Sequence, residues 1–122
     1  MHFSQIYKVT ADDGGYSQER DIGIMKSVTN GIVNSVSVLI NGSTAKDFAL
    51  AVKNSICSVN IGLHLNLSEG VPVTSSLSEL VDGKGFLLGK NGCWKILNQP
   101  NLNLREQVRI VSCKLINTFK NN

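Results

Sequence analysis

Asp12 and Asp13 stand side by side at the end of the apolar run Ile6-Tyr7-Lys8-Val9-Thr10-Ala11 and are followed at once by Gly14-Gly15-Tyr16-Ser17. Two adjacent carboxylates at a strand end suit a metal-dependent site, in which one holds a cation while the other moves a proton. Neighbouring side chains on a strand point to opposite faces, so the pair converges only if the chain turns, and the glycines are expected to supply that turn. An imidazole is available to the same site. The segment Asn60-Ile61-Gly62-Leu63-His64-Leu65-Asn66-Leu67-Ser68-Glu69-Gly70 alternates as a strand does, and its polar face carries Asn60, Gly62, His64 and Asn66.

These residues need a scaffold, and the surrounding sequence describes one. After the first strand, Ser17 can cap a helix whose first turn carries Glu19 and Asp21. Ile22, Met25, Val28 and Ile32 follow at helical spacing, with Gly31 near the end. Val33 to Ile40 is rich in β-branched residues and reads as a second strand, and Asn41-Gly42 turns the chain. Ser43 or Thr44 then caps a helix with Ala45, Phe48, Ala49 and Val52 on one side, and Val59 to Leu67 forms the third strand. Strands alternating with helices specify an α/β fold of parallel βαβ units, whose sites form at the C-terminal ends of the strands. From Ser68 to Asn103 the pattern loosens around Pro72, Pro100 and glycines 70, 83, 85, 89 and 92, which predicts a long irregular excursion of the kind that serves as a lid or binding loop. A last helix is expected from Leu104 towards Phe119, with Val108, Val111, Leu115 and Phe119 on one face.

With 122 residues, 42% of them hydrophobic, the chain can build one core and is too short to suggest two. The net charge of +3 is small and its lysines and arginines are dispersed, which argues against nucleic acid as a partner. Cys57, Cys93 and Cys113 are odd in number and lack C-x-x-C spacing, so neither a disulfide framework nor a zinc knuckle is indicated. No apolar stretch approaches the roughly 20 residues of a membrane span, and no basic stretch followed by an apolar core opens the chain. A cytoplasmic location is expected, so Asn41-Gly42-Ser43 and Asn66-Leu67-Ser68 read as chance glycosylation sequons.

Three separated segments, Thr10-Ala11-Asp12-Asp13-Gly14-Gly15-Tyr16-Ser17, Val36-Ser37-Val38-Leu39-Ile40-Asn41-Gly42 and Gly62-Leu63-His64-Leu65-Asn66-Leu67-Ser68-Glu69-Gly70, together resemble the YdjC/ChbG-like carbohydrate deacetylases in order and spacing. The resemblance implies a (β/α) barrel of the polysaccharide-deacetylase type, of which residues 1–122 would be the N-terminal part, truncated after about three βα units. It implies metal-assisted removal of the acetyl group from N-acetylated sugars such as acetylated chitooligosaccharides. Asp12 would be the proton acceptor, and Asp13 and His64 the metal ligands. One oxygen and one nitrogen suit Mg²⁺, Mn²⁺ or Zn²⁺; the resemblance favours Mg²⁺, with Zn²⁺ second. The sequence departs from the family at Gly14, where an aromatic residue is usual and a pocket wall would be lost. The family's third ligand, a histidine in an Asp-x-His-x-x-His-like motif, would lie beyond Phe119-Lys120-Asn121-Asn122, and the only other histidine here is His2, read as a solvated tail.

Plainer readings stand beside these. Asp12-Asp13 could serve as a turn that satisfies free N–H groups ahead of Ser17, and His64 as a strand histidine bonded to a neighbour. Asn66 and Glu69 suit either a sugar site or turn chemistry, and Trp94 either a sugar-stacking platform or a cover for the core. Gly42-Ser43-Thr44-Ala45-Lys46 lacks the spacing of a phosphate loop. A half-barrel would leave a parallel strand edge unpaired and so favour homo-oligomers. With an incomplete ligand set, the alternative function is a catalytically silent α/β module acting by association.

Overall fold

A computed structural model describes residues 7–75, 78–99 and 102–120. His2, Ile6 and Pro100 lie outside these residues, and so do the side chains of Val111, Leu115 and Phe119. The chain runs β1 (Thr10–Gly14), α1 (Gln18–Thr29), β2 (Ser35–Val38), α2 (Ala45–Lys53), β3 (Asn60–Leu63), α3 (Gly89–Leu97), α4 (Leu102–Lys120). The strands form one parallel sheet in the order β1-β2-β3, each joined to the next by a helix, which is the expected mixed α/β arrangement.

The first strand lies further along the chain than its apolar run suggests. Asp12 and Asp13 fall inside β1 rather than beyond its end. Between the pairings Ala11↔Val36 and Gly14↔Val38, β1 advances three residues while β2 advances two. One residue is therefore extra, a bulge, and Asp13 takes it up in a left-handed conformation at φ 64. Aspartate is among the few side chains that tolerate that region. The bulge, and not the glycine turn, is what breaks the alternation of the carboxylates.

Ser17 caps α1 as expected, accepting the Arg20 N–H. The buried stripe of α1 is Asp21, Ile24 and Val28, however, while Ile22 is 49% exposed. The helix is phased by Asp21, whose carboxylate has buried partners, and it stops at Thr29. Gly31 follows at φ 72, so Ile32 falls outside the helix and is solvent-exposed. Ile24 and Val28 pack with Val36 and Val38 of β2 and with Phe48 of α2, the most enclosed large side chain of this cluster. Thr44 precedes α2 without capping it.

The region after β3 is more ordered than its composition suggests. Val81 and Leu87 form an antiparallel bridge around a turn in which Asp82 Oδ1 accepts the N–H groups of Lys84 and Phe86. α3 forms despite Gly89 and Gly92, because Cys93 and Ile96 join Leu80, Leu87 and Leu104 in a second core cluster. Ile40, Leu63 and Leu67 pack against that cluster, so it is fastened to the C-terminal ends of β2 and β3. Trp94 is 66% exposed on α3 and does not cover the core. α4 matches the expected final helix, and its Val108 packs on the second cluster. Among the described residues no helix is long and apolar enough to cross a membrane.

Candidate functional site

Strands two places apart in a sheet are roughly 9 to 10 Å apart, since adjacent strands are about 4.8 Å apart. Residues of β1 and β3 therefore meet only by reaching over β2. Asp13 does so from the bulge, and His64 does so from the first position past β3, where its N–H still donates to Val38 O at 2.9 Å. Asp13 Oδ1 and His64 Nδ1 come to 3.2 Å. Beneath them, Ser37 of β2 donates its hydroxyl to Asp12 Oδ1 at 2.7 Å and lies 3.2 Å from His64 Nδ1. Asp12, Asp13 and His64 thus share one cluster at the C-terminal end of the sheet, with Ser37 at its centre.

Arg20, in the first turn of α1, places NH1 2.6 Å from Asp13 Oδ2 and stacks its guanidinium 4.3 Å over the Tyr16 ring. The ion pair is half-exposed, so its value lies in orientation more than in stability. It engages Oδ2 and leaves Oδ1 facing the imidazole. Neither Ser37 nor Arg20 stands out in the sequence as a site residue. Ser37 had a faint signal, because it alternates with Val36 and Val38 and must face away from their core; Arg20 had none.

A pocket of about 190 Å³ opens here, lined by Asp13, Leu39, His64, Leu65, Asn66, Ser68 and Glu69. Its far wall is a loop shaped by two asparagines. Asn66 Oδ1 accepts from the N–H groups of Ser68 and Glu69, and its Nδ2 donates to Glu69 O and Asn41 Oδ1. Asn41 Nδ2 in turn donates to Val71 O at 3.2 Å. Asn66 is therefore a loop builder, and Glu69 is carried on its turn to the pocket wall. Asn60, expected on the same polar face, sits at the other end of β3 and bonds Asn34 O. A larger cavity of about 500 Å³ lies between α1 and α2, lined by Ile22, Met25, Phe48 and Ala51 together with Gln18, Asp21, Thr44 and Asp47. Its Asp21 and Thr44 are bonded to each other, with Asp21 also holding the Gly15 N–H, whereas the carboxylate and imidazole cluster opens into the smaller pocket, which is the candidate site.

Gly14 does not open the pocket as expected. A Cβ there would stand 2.6 Å from Phe48 Cε1 and 3.1 Å from Val36 Cγ1, so the Phe48 ring of α2 occupies the space. Gly15, at φ 86, and Gly42 bring two backbone segments into contact that no Cβ would allow. Asp21 fastens this crossing, with Oδ1 accepting the Gly15 N–H at 2.7 Å and Oδ2 the Thr44 hydroxyl at 2.5 Å.

The spacing of Asp13 Oδ1 and His64 Nδ1 can be tested against a shared cation. Two ligand atoms each about 2.1 Å from one ion, at roughly a right angle, stand about 3 Å apart. The observed 3.2 Å fits. Among the described residues no group of three or more His, Cys, Asp or Glu side chains is arranged to hold a metal ion, so Asp13 and His64 offer two protein ligands.

A parallel βαβ sheet with a carboxylate and imidazole cluster at its C-terminal ends defines an α/β protein whose candidate site lies where such folds bind their ligands. The YdjC-like protein profile matches residues 8–112, and the chain belongs to that family. It is 43% identical over 114 residues to the carbohydrate deacetylase of Xenopus laevis, covering 91% of this chain and 36% of that protein. It is 49% identical over 88 residues to the carbohydrate deacetylase of Mus musculus, covering 69% of this chain and 27% of that one. A chitooligosaccharide deacetylase of Salmonella newport is 33% identical over 106 residues, 87% of this chain and 40% of that protein. The chain thus spans well under half the length of these relatives. A crystal structure from Enterococcus faecalis, of a protein named for cellobiose-phosphate cleavage, superposes with a TM-score of 0.78 at 24% identity, covering 92% of this chain and 42% of that one, and shows the shared fold.

Proposed function

We propose that the chain carries the proton-accepting base and two cation ligands of a metal-dependent carbohydrate deacetylase, hydrolysing the acetyl amide of N-acetylated sugars such as acetylated chitooligosaccharides. The observation that supports it is the meeting of Asp12, Asp13 and His64 around Ser37, in a chain whose relatives are named as deacetylases. In this reading the three βα units are one part of a (β/α) barrel, and the cytoplasm is its setting.

Asp13 Oδ1 and His64 Nδ1 would hold the ion, Mg²⁺ in the first instance and Zn²⁺ in the second. A divalent ion there supplies Lewis acidity to the amide carbonyl and acidifies a water. Asp12 takes the proton of the attacking water: Ser37 holds Oδ1 and leaves Oδ2 as the accepting atom. Arg20 keeps Asp13 from turning its second oxygen inward. The pocket beside this cluster is walled by Leu65 and the 66–69 loop, which would face the sugar.

The test is acetate release from N-acetylated chitooligosaccharides with Mg²⁺, Mn²⁺ or Zn²⁺ supplied, on this chain and on one extended to the length of its relatives. Release by the extended chain that Asp12→Asn abolishes supports the reading; no release from any N-acetyl sugar with any of the three ions refutes it. The two-ligand set favours a second reading, a silent module acting by association and self-association. That reading requires no bound divalent metal and no turnover.

A further inference from the structure

The loop that walls the pocket carries a charged residue without a counter-charge. Asn66 Oδ1 accepts the Glu69 N–H at 3.0 Å, and the Glu69 carbonyl accepts Asn66 Nδ2 at 2.9 Å and Asn41 Nδ2 at 3.4 Å. Both main-chain polar groups of Glu69 are thereby used, so its carboxylate is what this residue can offer a ligand. The loop is fixed from its other side as well. Ser68 O accepts the Gly89 N–H at 2.7 Å and Gly70 O the Leu87 N–H at 2.9 Å, which ties it to the second core cluster through Leu87. Glu69 is exposed, and among the described residues its carboxylate has no hydrogen bond or ion pair. The other carboxylate lining the pocket, that of Asp13, already has Arg20, and among the described residues no lysine or arginine lines the pocket beside Glu69.

We propose that Glu69 is a specificity-determining residue of this pocket, an anionic anchor for the protonated amine of a deacetylated sugar unit. Its setting rests on the deacetylase reading: hydrolysis of an acetamide leaves acetate and an amine, and the amine takes up a proton at neutral pH. A neutral group thus becomes a cation. Towards a carboxylate the acetamide offers a hydrogen bond, whereas the ammonium adds a charge attraction that, about 4 Å away in water, multiplies affinity about 5-fold. The unit that carries the amine is either the one just deacetylated or a neighbour deacetylated earlier, and the ammonium is common to both. Because Asn66 and Asn41 already hold the main chain of Glu69, a ligand gains this contact without having to order the loop.

The test compares Glu69→Gln, which keeps the shape and removes the charge, with Glu69→Asp, which keeps the charge. The first readout needs no turnover: NMR titration of the full chain at neutral pH, with Mg²⁺ supplied, by the glucosamine disaccharide chitobiose and by its N,N′-diacetyl form. The parent should prefer the deacetylated disaccharide, and added salt should reduce that preference. Glu69→Gln should lower the ratio of the two affinities about 5-fold, and Glu69→Asp should retain most of it. A parent that binds neither sugar or shows no preference overturns the proposal. So does a glutamine variant that keeps the parent's ratio, including one in which both affinities fall alike, since Glu69 would then meet a hydroxyl and not a charge. The second readout separates the two sources of the amine, using acetate release by the extended chain. A higher kcat/KM on the mono-acetylated disaccharide than on the diacetyl form, lost in Glu69→Gln, supports a neighbouring unit; competitive inhibition by chitobiose without that preference supports the released product. An extended parent that releases no acetate defeats the deacetylase reading, and the titration then judges Glu69 by itself.

Discussion

Asp13 of β1 and His64 beyond β3 lie 3.2 Å apart, Oδ1 to Nδ1, although a whole strand separates their parent strands. The contact depends on a left-handed Asp13 and on His64 leaving the sheet at the same level. A divalent cation shared by the two should be lost when either is removed. Asp13→Asn and His64→Ala should each weaken Zn²⁺ binding by at least about 10-fold, a lower bound set by what supporting residues alone contribute. Asp12→Asn should leave that binding intact. Titration calorimetry checks this, and tight uptake that survives His64→Ala would show that the ligands lie elsewhere.

Asp21 is a buried carboxylate with two donors aimed at it, the Gly15 N–H and the Thr44 hydroxyl. Hydrogen bonds to a charged group contribute about 1.5 to 3 kcal/mol each, and a buried donor left unpaired adds its own desolvation cost. Asp21→Ala should therefore destabilise the chain by about 3 kcal/mol or more, and Thr44→Val by about half as much. Urea unfolding of the two variants measures the difference. Equal stability of Asp21→Ala and the parent would remove the clasp from the account.

The contact between Gly14 and Phe48 should show as coupling. Gly14→Ala pushes a Cβ to 2.6 Å from the Phe48 ring, and overpacking of this kind costs about 1 to 3 kcal/mol. Phe48→Leu in the Gly14→Ala background should cost less than it does alone, because the smaller side chain relieves the clash. A double-mutant cycle from thermal unfolding gives the coupling energy, and strict additivity would contradict the packing described.

Burial raises the pKa of the Cys93 thiol above its usual value of 9.0. A raised folded-state pKa means that the native chain holds this proton more tightly than the unfolded chain. Its contribution to stability is therefore complete below about pH 9 and declines as pH rises through the folded value. Cys93→Ala should flatten that alkaline decline. In alkylation at neutral pH, exposed Cys113 should react well before Cys93.

The alternation of strands and helices, the Ser17 cap, the turn at Asn41-Gly42 and the final helix could be read from the sequence, because each rests on contacts within about four residues. The same is true of the chemistry-bearing side chains: Asp12, Asp13 and His64 stand out by type, and their motif by order. Tertiary structure decided everything that depends on partners far along the chain. It placed the carboxylates within β1 and converged them by a bulge, since that bulge exists only against the register of β2. It phased α1 by Asp21 rather than Ile22, because the donors that make an aspartate tolerable inside come from Gly15 and Thr44. It formed α3 from a glycine-bearing segment by giving Cys93 and Ile96 a cluster to bury in. And it brought Ser37 and Arg20 to the site, because hydrogen bonds between strands and from a helix to a strand have no local periodicity for a sequence to display.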